Sequence, residues 1–162
     1  MPTLRVQTCC GHYVGGIGNA YYFNKKRGIM TYKEYVAKHE GLSLNLYHDQ
    51  YGHQTIGYGR NIDSNGISKE EALFMLDNDL KVSICDLKEI FPNWDKISDN
   101  RKNVLIDMRF QLGGGGFRNF KHFIQSVKEE NWQEAIKSII NSLYYKQVTT
   151  RAKENIEKLG EG

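Results

Sequence analysis

Three polar residues in the first third of the chain have types and spacings suited to acid–base chemistry. Glu40 is followed after eight residues by Asp49 and after five more by Thr55, within EGLSLNLYHDQYGHQTIGYG. Hydrolysis of a glycosidic bond needs one carboxylic acid to protonate the leaving oxygen and a second carboxylate to activate water or stabilise an oxocarbenium-like sugar. A threonine hydroxyl beside the second carboxylate is suited to holding that water. The segment therefore supplies the groups that this reaction needs.

The two carboxyl groups are expected to have different surroundings. Glu40 is predicted at the C-terminal end of a helix, beside an apolar β element, where the helix dipole and burial favour the protonated form of a general acid. Asp49 is predicted in a polar turn rich in backbone N–H groups, which favours its ionised form. Each residue alone also has an ordinary explanation, as a solvated charge, a turn residue or a strand former. The spacing, together with the surrounding Gly and Tyr residues, favours the functional interpretation.

Local signals predict the elements that position these residues. Thr31 and Glu34 form a T-x-x-E capping box, which predicts a short helix from Tyr32 to Glu40. Gly41 then occupies the position of a left-handed residue after the helix. The following SLNLYH and QTIGYGRNI segments, separated by DQYG, predict a small antiparallel β element.

A series of helices is predicted after the β element. Ser68 and Glu71 form a second capping box, which opens a long amphipathic helix that ends at Pro92. Its apolar positions are Leu73, Leu76, Leu80, Ile84, Leu87 and Phe91. The segment RKNVLIDMRFQLG predicts a buried helix that stops at the glycine run 113–116. Three more helices are predicted at about 119–129, 131–143 and 150–159. The expected fold class is α+β and mainly α.

Three blocks of the sequence resemble the T-even phage lysozymes and related endolysins, glycoside hydrolase family 24. They are EGLSLNLYHDQYGHQTIGYG, RKNVLIDMRFQLGGGGF and LYYKQVTTRAKENIEKLGEG, in the order in which the family has them. The resemblance implies that Glu40 is the general acid and that Asp49 and Thr55 position the attacking water. It also implies that Gln111 and Arg151 line or support the substrate cleft. Further candidates for substrate binding or support are Tyr47, Gly59 and Phe120.

The same resemblance implies a fold and a substrate. The fold is lysozyme-like, with a small antiparallel β lobe and a helical lobe joined by a long helix, and with a cleft between the lobes. The β lobe is expected at about 42–67, the helical lobe at about 30–41 and 92–162, and the linking helix at about 68–91. The implied reaction cuts bacterial peptidoglycan between N-acetylmuramic acid and N-acetylglucosamine, with inversion at the anomeric carbon. The chain is shorter than the T-even lysozymes between Thr55 and Arg101, so a trimmed β lobe is expected.

Composition and charge indicate where the protein acts and what kind of partner it approaches. The net charge of +3 and the pI near 8.7 favour approach to an anionic polymer without identifying it. The three cysteines define no disulfide framework. The sequence contains no run of 18 consecutive apolar residues, so stable membrane insertion is not expected. Residues 1–29 show no secretory signal, and they are expected to form an arm to which no role is assigned. We expect a monomer that is made in the cytoplasm, acts on the wall in the periplasm and binds no nucleic acid.

Several weaker patterns are interpreted as structural. NIDSNGISKEEA fails the register of an EF-hand loop, because Ile67 follows the glycine one position too early and the segment has to open a capped helix at Ser68. The cluster of Cys9, Cys10 and His12 matches no standard zinc module. His48 and His53 flank the DQYG turn and are interpreted as surface polar residues. No metal or other cofactor is therefore expected.

Three alternatives stay open at this stage. The chain could be an exported antibacterial effector with the same activity, or a catalytically silent module that binds the wall, since fold alone does not establish activity. A lytic transglycosylase would use the acid but would not need the water-holding Asp and Thr. Products with 1,6-anhydro ends would distinguish the transglycosylase from a hydrolase.

Overall fold

The computed structural model describes residues 30–162, which fall into two compact units, 30–73 and Phe74–Gly162. The predicted α+β, mainly helical class is confirmed. The elements are α1 Tyr32–Glu40, β1 Ser43–His48, β2 Gln54–Gly57, β3 Arg60–Asn61, α2 Ile62–Asn65, α3 Lys69–Ile90, α4 Asp99–Arg118, α5 Lys121–Lys128, α6 Trp132–Ile140, α7 Leu143–Gln147 and α8 Thr149–Glu161, with a 3-10 turn at Trp94–Lys96.

Helix α1 begins and ends where the sequence predicts. The Thr31 hydroxyl accepts a hydrogen bond from the Glu34 backbone N–H at 3.2 Å, and the Glu34 carboxylate accepts one from the Thr31 backbone N–H at 2.9 Å. The capping box is therefore confirmed. Gly41 has the expected positive φ of 70°, but its ψ of 165° is extended and not left-handed helical. The chain thus leaves α1 directly into β1, which begins two residues later.

The predicted antiparallel β element is confirmed as a three-stranded sheet in the order β1-β2-β3. Ser43 pairs with Gly57 and Tyr47 pairs with Thr55, and the register shifts between these two pairs. Strand β3 is short, and Asn61 at its end caps the single helical turn α2 by accepting a hydrogen bond from the Ser64 backbone N–H. Within the NIDSNG segment, Ile62–Asn65 therefore forms a single helical turn directly after the last strand of the sheet.

Helix α3 confirms the second capping box, in which the Ser68 and Glu71 side chains each accept a hydrogen bond from the other residue's backbone N–H. Its burial differs from the predicted pattern. The side chains of Leu87 and Phe91, near and just beyond the C-terminal end, are fully buried, whereas Leu73 is 51% exposed. The reason is that the apolar cluster of the second unit packs only on the C-terminal half of α3.

The core of the second unit is built from the end of α3 and from α4–α8. Its largest members form a chain of aromatic rings in edge-to-face contact, with Phe117 touching both Phe91 and Phe123. All three rings are fully buried. Burying one large apolar side chain stabilises a fold by about 1.5–3 kcal/mol, so this cluster is the main source of stability in the unit.

The glycine run does not end its helix as predicted. Helix α4 breaks at Gly113, where φ is 68° and ψ is 166°, and then resumes as far as Arg118. Asp86 of α3 explains the continuation, because it pairs with Arg109 before the break and with Arg118 after it. A Cβ on Gly114 would lie 3.0 Å from Asp86 Oδ2, so glycine leaves the space that this ion cluster occupies.

The helix predicted at 131–143 is shorter in the structure, and a separate short helix, which was not predicted, follows it. Helix α6 ends at Ile140, and the Ser142 hydroxyl then caps α7 by accepting a hydrogen bond from the Tyr145 backbone N–H at 3.2 Å. The predictions about Cys9, Cys10 and the N-terminal arm fall outside the described residues, and the lobe boundaries stay predictions. None of the helices within residues 30–162 is long and apolar enough to cross a membrane.

Candidate active site

Glu40 is the last residue of α1, and its carboxylate lies against the turn between β2 and β3. Gly59 in that turn has a φ of +76°, and a Cβ there would lie only 3.2 Å from Glu40 Oε2. The approach is tighter than an ordinary Cβ contact, so a side chain at this position would require the carboxylate to shift by a few tenths of an ångström. Glu40 is exposed in the structure, whereas the sequence analysis expected partial burial. The carboxylate is thus open to solvent on one side and bounded by a glycine on the other.

Asp49 is held by the backbone of the turn that follows β1. Its Oδ1 accepts hydrogen bonds from the backbone N–H groups of Tyr51 at 2.8 Å and His53 at 2.9 Å. The bond from the His53 backbone is the largest cause that lowers the pKa of Asp49 below its ordinary value, and the Tyr51 bond adds to it against the opposing effect of burial. Asp49 is therefore ionised at neutral pH, as its turn environment predicted.

Thr55 is the buried member of the group, with 3% of its surface exposed. Its hydroxyl donates a hydrogen bond to the His53 backbone carbonyl at 3.2 Å. Because a hydroxyl has one proton and two acceptor sites, the side chain can still accept a hydrogen bond from a water molecule. Tyr47, 39% exposed, is the residue opposite Thr55 on β1.

His53 connects Asp49 with Thr55 through its backbone. Its carbonyl accepts hydrogen bonds from the Asp49 backbone N–H at 3.0 Å and from the Thr55 hydroxyl. The next residue is anchored as well, because the Gln54 backbone N–H donates to Asp63 Oδ2 at 2.8 Å. Sequence reasoning missed both contacts. The NIDSNG segment was interpreted from the sequence only as a turn, and this interpretation did not predict that the Asp63 carboxylate would bind the Gln54 backbone.

The candidate residues of the second unit have other environments. Gln111 is exposed on α4. Arg151 on α8 forms a bidentate ion pair with Asp107 on α4, with its Nε 2.9 and 3.0 Å from the two carboxylate oxygens. Burial raises the pKa of Asp107, but hydrogen bonds from Arg151 and Asn155 outweigh it and the pKa lies below its ordinary value. The charge of Arg151 is therefore compensated within its own unit. The sequence feature that could have predicted this ion pair is Asp107 itself, the single acidic residue within the apolar segment RKNVLIDMRF.

Phe120 lies at the edge of the second unit's core. Its ring meets those of Phe123 and Tyr144 edge to face, with centroids 6.3 and 6.2 Å away. It also lines a groove of about 500 Å³ between the start of α5 and the α6–α7 connection. The groove includes a Glu134–Lys137 ion pair of 3.1 Å. The structure thus groups Glu40 with Gly59 and Asp49 with Thr55 and Tyr47 in one unit, and places Gln111, Phe120 and Arg151 in the other.

Comparison with known proteins gives matches over most of the chain. Residues 37–154 match the phage lysozyme family. The chain is 29% identical over 151 residues to the pre-baseplate central spike protein Gp5 of Enterobacteria phage T4, which covers 76% of this chain and 26% of that protein. It is 24% and 26% identical to probable T4-type lysozymes 2 and 1 of Dictyostelium discoideum, over 76% and 83% of this chain and 90% and 96% of those proteins.

The extent of these matches defines the class of the protein, a glycoside hydrolase of the T4 lysozyme type. The chain belongs to the phage lysozyme family. It spans about a quarter of the length of the spike protein and almost the full length of the two Dictyostelium proteins.

Proposed function

We propose that this protein is a muramidase that hydrolyses the β-1,4 bond between N-acetylmuramic acid and N-acetylglucosamine in bacterial peptidoglycan. The observation that carries the proposal is the contrast between its two carboxylates. Asp49 is kept ionised by two backbone N–H groups, and Glu40 is exposed at a helix end with its carboxylate close to the backbone of Gly59. One acid and one base of unequal environment are what glycoside hydrolysis requires.

In the proposed reaction Glu40 donates its proton to the glycosidic oxygen as the bond from the anomeric carbon to that oxygen breaks. Asp49 and Thr55 hold the water whose oxygen forms the new bond to the anomeric carbon, and a water proton is released towards Asp49. Asp49 Oδ1 is occupied by two backbone donors, so Oδ2 is the oxygen available to the water. The Thr55 hydroxyl contributes an acceptor on the same side of the turn.

The positions along β2 support inversion. Inverting enzymes separate their two carboxyl groups by about 6.5–9.5 Å to admit a water, whereas retaining enzymes need about 5–5.5 Å. Asp49 lies before the start of β2, and Glu40 meets Gly59 beyond its end. Thr55 pairs with Asn61 and Ile56 pairs with Arg60, so Gly59 lies in the hairpin turn. At about 3.3 Å per residue, two strand steps of roughly 7 Å separate this turn from the level of Thr55. Groups near opposite ends of this strand favour the wider separation.

The proposed setting is bacterial cell lysis by a monomer that is made in the cytoplasm and acts on the wall in the periplasm. The net charge of +3 supports attraction to an anionic wall polymer. No cofactor takes part in the proposed reaction, because the proton transfers are assigned to side chains and water.

The test compares wild type with Glu40→Gln on purified peptidoglycan sacculi, with Glu157→Gln, an exposed glutamate on α8, as the matched control. Loss of a general acid lowers the rate by about 10²–10⁴-fold, and the control should keep full activity. Proton NMR should show the inverted anomer first, and mass spectrometry should show reducing N-acetylmuramic acid ends. A Glu40→Gln variant with a tenth of wild-type activity would refute the role of Glu40, and 1,6-anhydro ends would show a transglycosylase.

A further inference from the structure

The imidazole of His53 lies beside the oxygen of Asp49 that the backbone leaves open. His53 Nδ1 is 3.5 Å from Asp49 Oδ2, and the ring lies 6.4 Å from the ring of Tyr51. The His53 side chain is half exposed, so solvent reaches it. From the sequence, His53 was expected to be a polar residue at the surface; in the structure its half-exposed ring lies beside the carboxylate that is proposed to hold the attacking water.

The side chain and the backbone of His53 do different things. The backbone N–H and carbonyl build the turn through bonds to Asp49 and Thr55, and these bonds do not depend on the residue type. The imidazole reaches only Oδ2, because Oδ1 already accepts two backbone hydrogen bonds. A substitution at this position therefore changes the contact with Oδ2 and leaves the turn's hydrogen bonds available.

We propose that His53 is a positioning residue that holds Asp49 Oδ2 and, as an imidazolium, keeps Asp49 ionised and the enzyme active towards acid pH. This inference rests on the proposed function. It assigns to His53 no contact with the substrate or with the reacting atoms.

The physical argument concerns the charge that His53 gains in acid. Histidine is the side chain that ordinarily becomes a cation between pH 8 and pH 5. A cation next to a carboxylate favours its ionised form, and the charge of His53 is one of the causes that lower the pKa of Asp49. A proton on the His53 imidazole places a cation 3.5 Å from Asp49 Oδ2, where it favours the ionised carboxylate.

Other charged groups around the turn do not replace this effect. Within residues 30–162, His53 is the only cationic side chain paired with Asp49. The ring of Tyr51 faces the imidazole with centroids 6.4 Å apart, and the neighbouring group on α2 is the Asp63 carboxylate, which accepts a hydrogen bond from the Gln54 backbone N–H. The local field at Oδ2 therefore depends on whether His53 carries a proton.

The test is a kcat/KM profile on purified sacculi from pH 3 to pH 8 for wild type, His53→Gln and His53→Lys. Exposed ion pairs correspond to a factor of about 1.4–5. We expect His53→Gln to lose about two- to fivefold on the acid limb and little on the neutral plateau, so that the limb moves to higher pH. His53→Lys supplies a permanent cation and should keep the acid limb of wild type.

His48→Gln is the matched control, because His48 is an exposed histidine on β1, five residues from His53, and the Asp49 carboxylate is bonded instead to Tyr51 and His53. The same type of side chain is removed close to the same turn, so a shift equal to that of His53→Gln would overturn the inference in favour of a general charge effect. The ¹³C titration of the Asp49 carboxyl gives a reading independent of turnover, and it should move to higher pH in His53→Gln alone.

The outcomes separate this inference from the proposed function. An active wild type whose His53→Gln profile and Asp49 titration are unchanged overturns the inference and leaves the muramidase proposal standing. An equal loss at every pH also overturns it, because that result indicates a purely structural role. An inactive wild type, or an active Glu40→Gln variant, overturns the proposed function, and the Asp49 titration still decides whether His53 acts on that carboxyl.

Discussion

Replacing Gly59 with alanine tests whether the β2–β3 turn positions the proposed general acid. Gly59 has a φ of +76°, a region that costs an L-residue about 1–2 kcal/mol. The new Cβ would lie 3.2 Å from Glu40 Oε2, so the carboxylate has to move by a few tenths of an ångström. Because a general acid works only within hydrogen-bond reach of its target, we expect activity to suffer more than stability.

The two effects have different magnitudes. For a chain of 162 residues, 1 kcal/mol shifts Tm by about 2–4 °C, so the backbone cost of Gly59→Ala corresponds to about 2–8 °C. A misplacement of about 1 Å at a catalytic group costs about 10²-fold in rate, and the smaller shift here should cost about tenfold. Gly57→Ala is the matched control, because Gly57 has a φ of +68° but a Cβ there meets nothing within 4 Å.

The assay measures initial rates of reducing-end release from sacculi, at a temperature at least 15 °C below the Tm of each variant. Both variants should lose similar thermal stability, and only Gly59→Ala should lose about tenfold in activity. If the two variants retain the same activity while both remain folded, the contact between Gly59 and Glu40 does not position the acid. The reasoning from the Cβ distance is then refuted.

Two further predictions concern carboxylates of the second unit. Asp107→Ala removes the ion pair with Arg151 and should lower the free energy of unfolding by about 1–2 kcal/mol. The control Asp77→Ala, at an exposed residue, should change it by less than about 0.5 kcal/mol. Equal Tm values for the two variants in thermal melts would contradict this prediction. Burial opposes ionisation of Asp86, but its bond from Arg109 outweighs burial and lowers its pKa. The resulting stability is present above the unfolded value of about 3.9 and is lost as pH falls through the folded pKa. The Tm gap between wild type and Asp86→Asn should therefore be widest near pH 6 and shrink below pH 4, and a constant gap would contradict the ion pair.

Local signals in the sequence were sufficient for the beginnings of the helices. The two capping boxes at Thr31 and Ser68 depend on residues three positions apart, so the same atoms meet wherever the rest of the chain goes. The β element was predictable for a similar reason, because turn residues and strand formers alternate within a short segment. Segments whose ends depend on distant partners were predicted less well, as at Gly113, where Asp86 on another helix allows α4 to resume.

The sequence by itself determined which residues are candidates for the chemistry, since Glu40, Asp49 and Thr55 are recognisable from type, spacing and family resemblance. Only the tertiary structure decided their surroundings. The approach of Gly59 to Glu40 and the ion pair of Arg151 with Asp107 follow from how the strands pair and the helices pack. The physical reason is that these contacts act over a few ångströms in space, and the Arg151–Asp107 pair joins residues 44 positions apart, a separation that leaves no local pattern in the sequence.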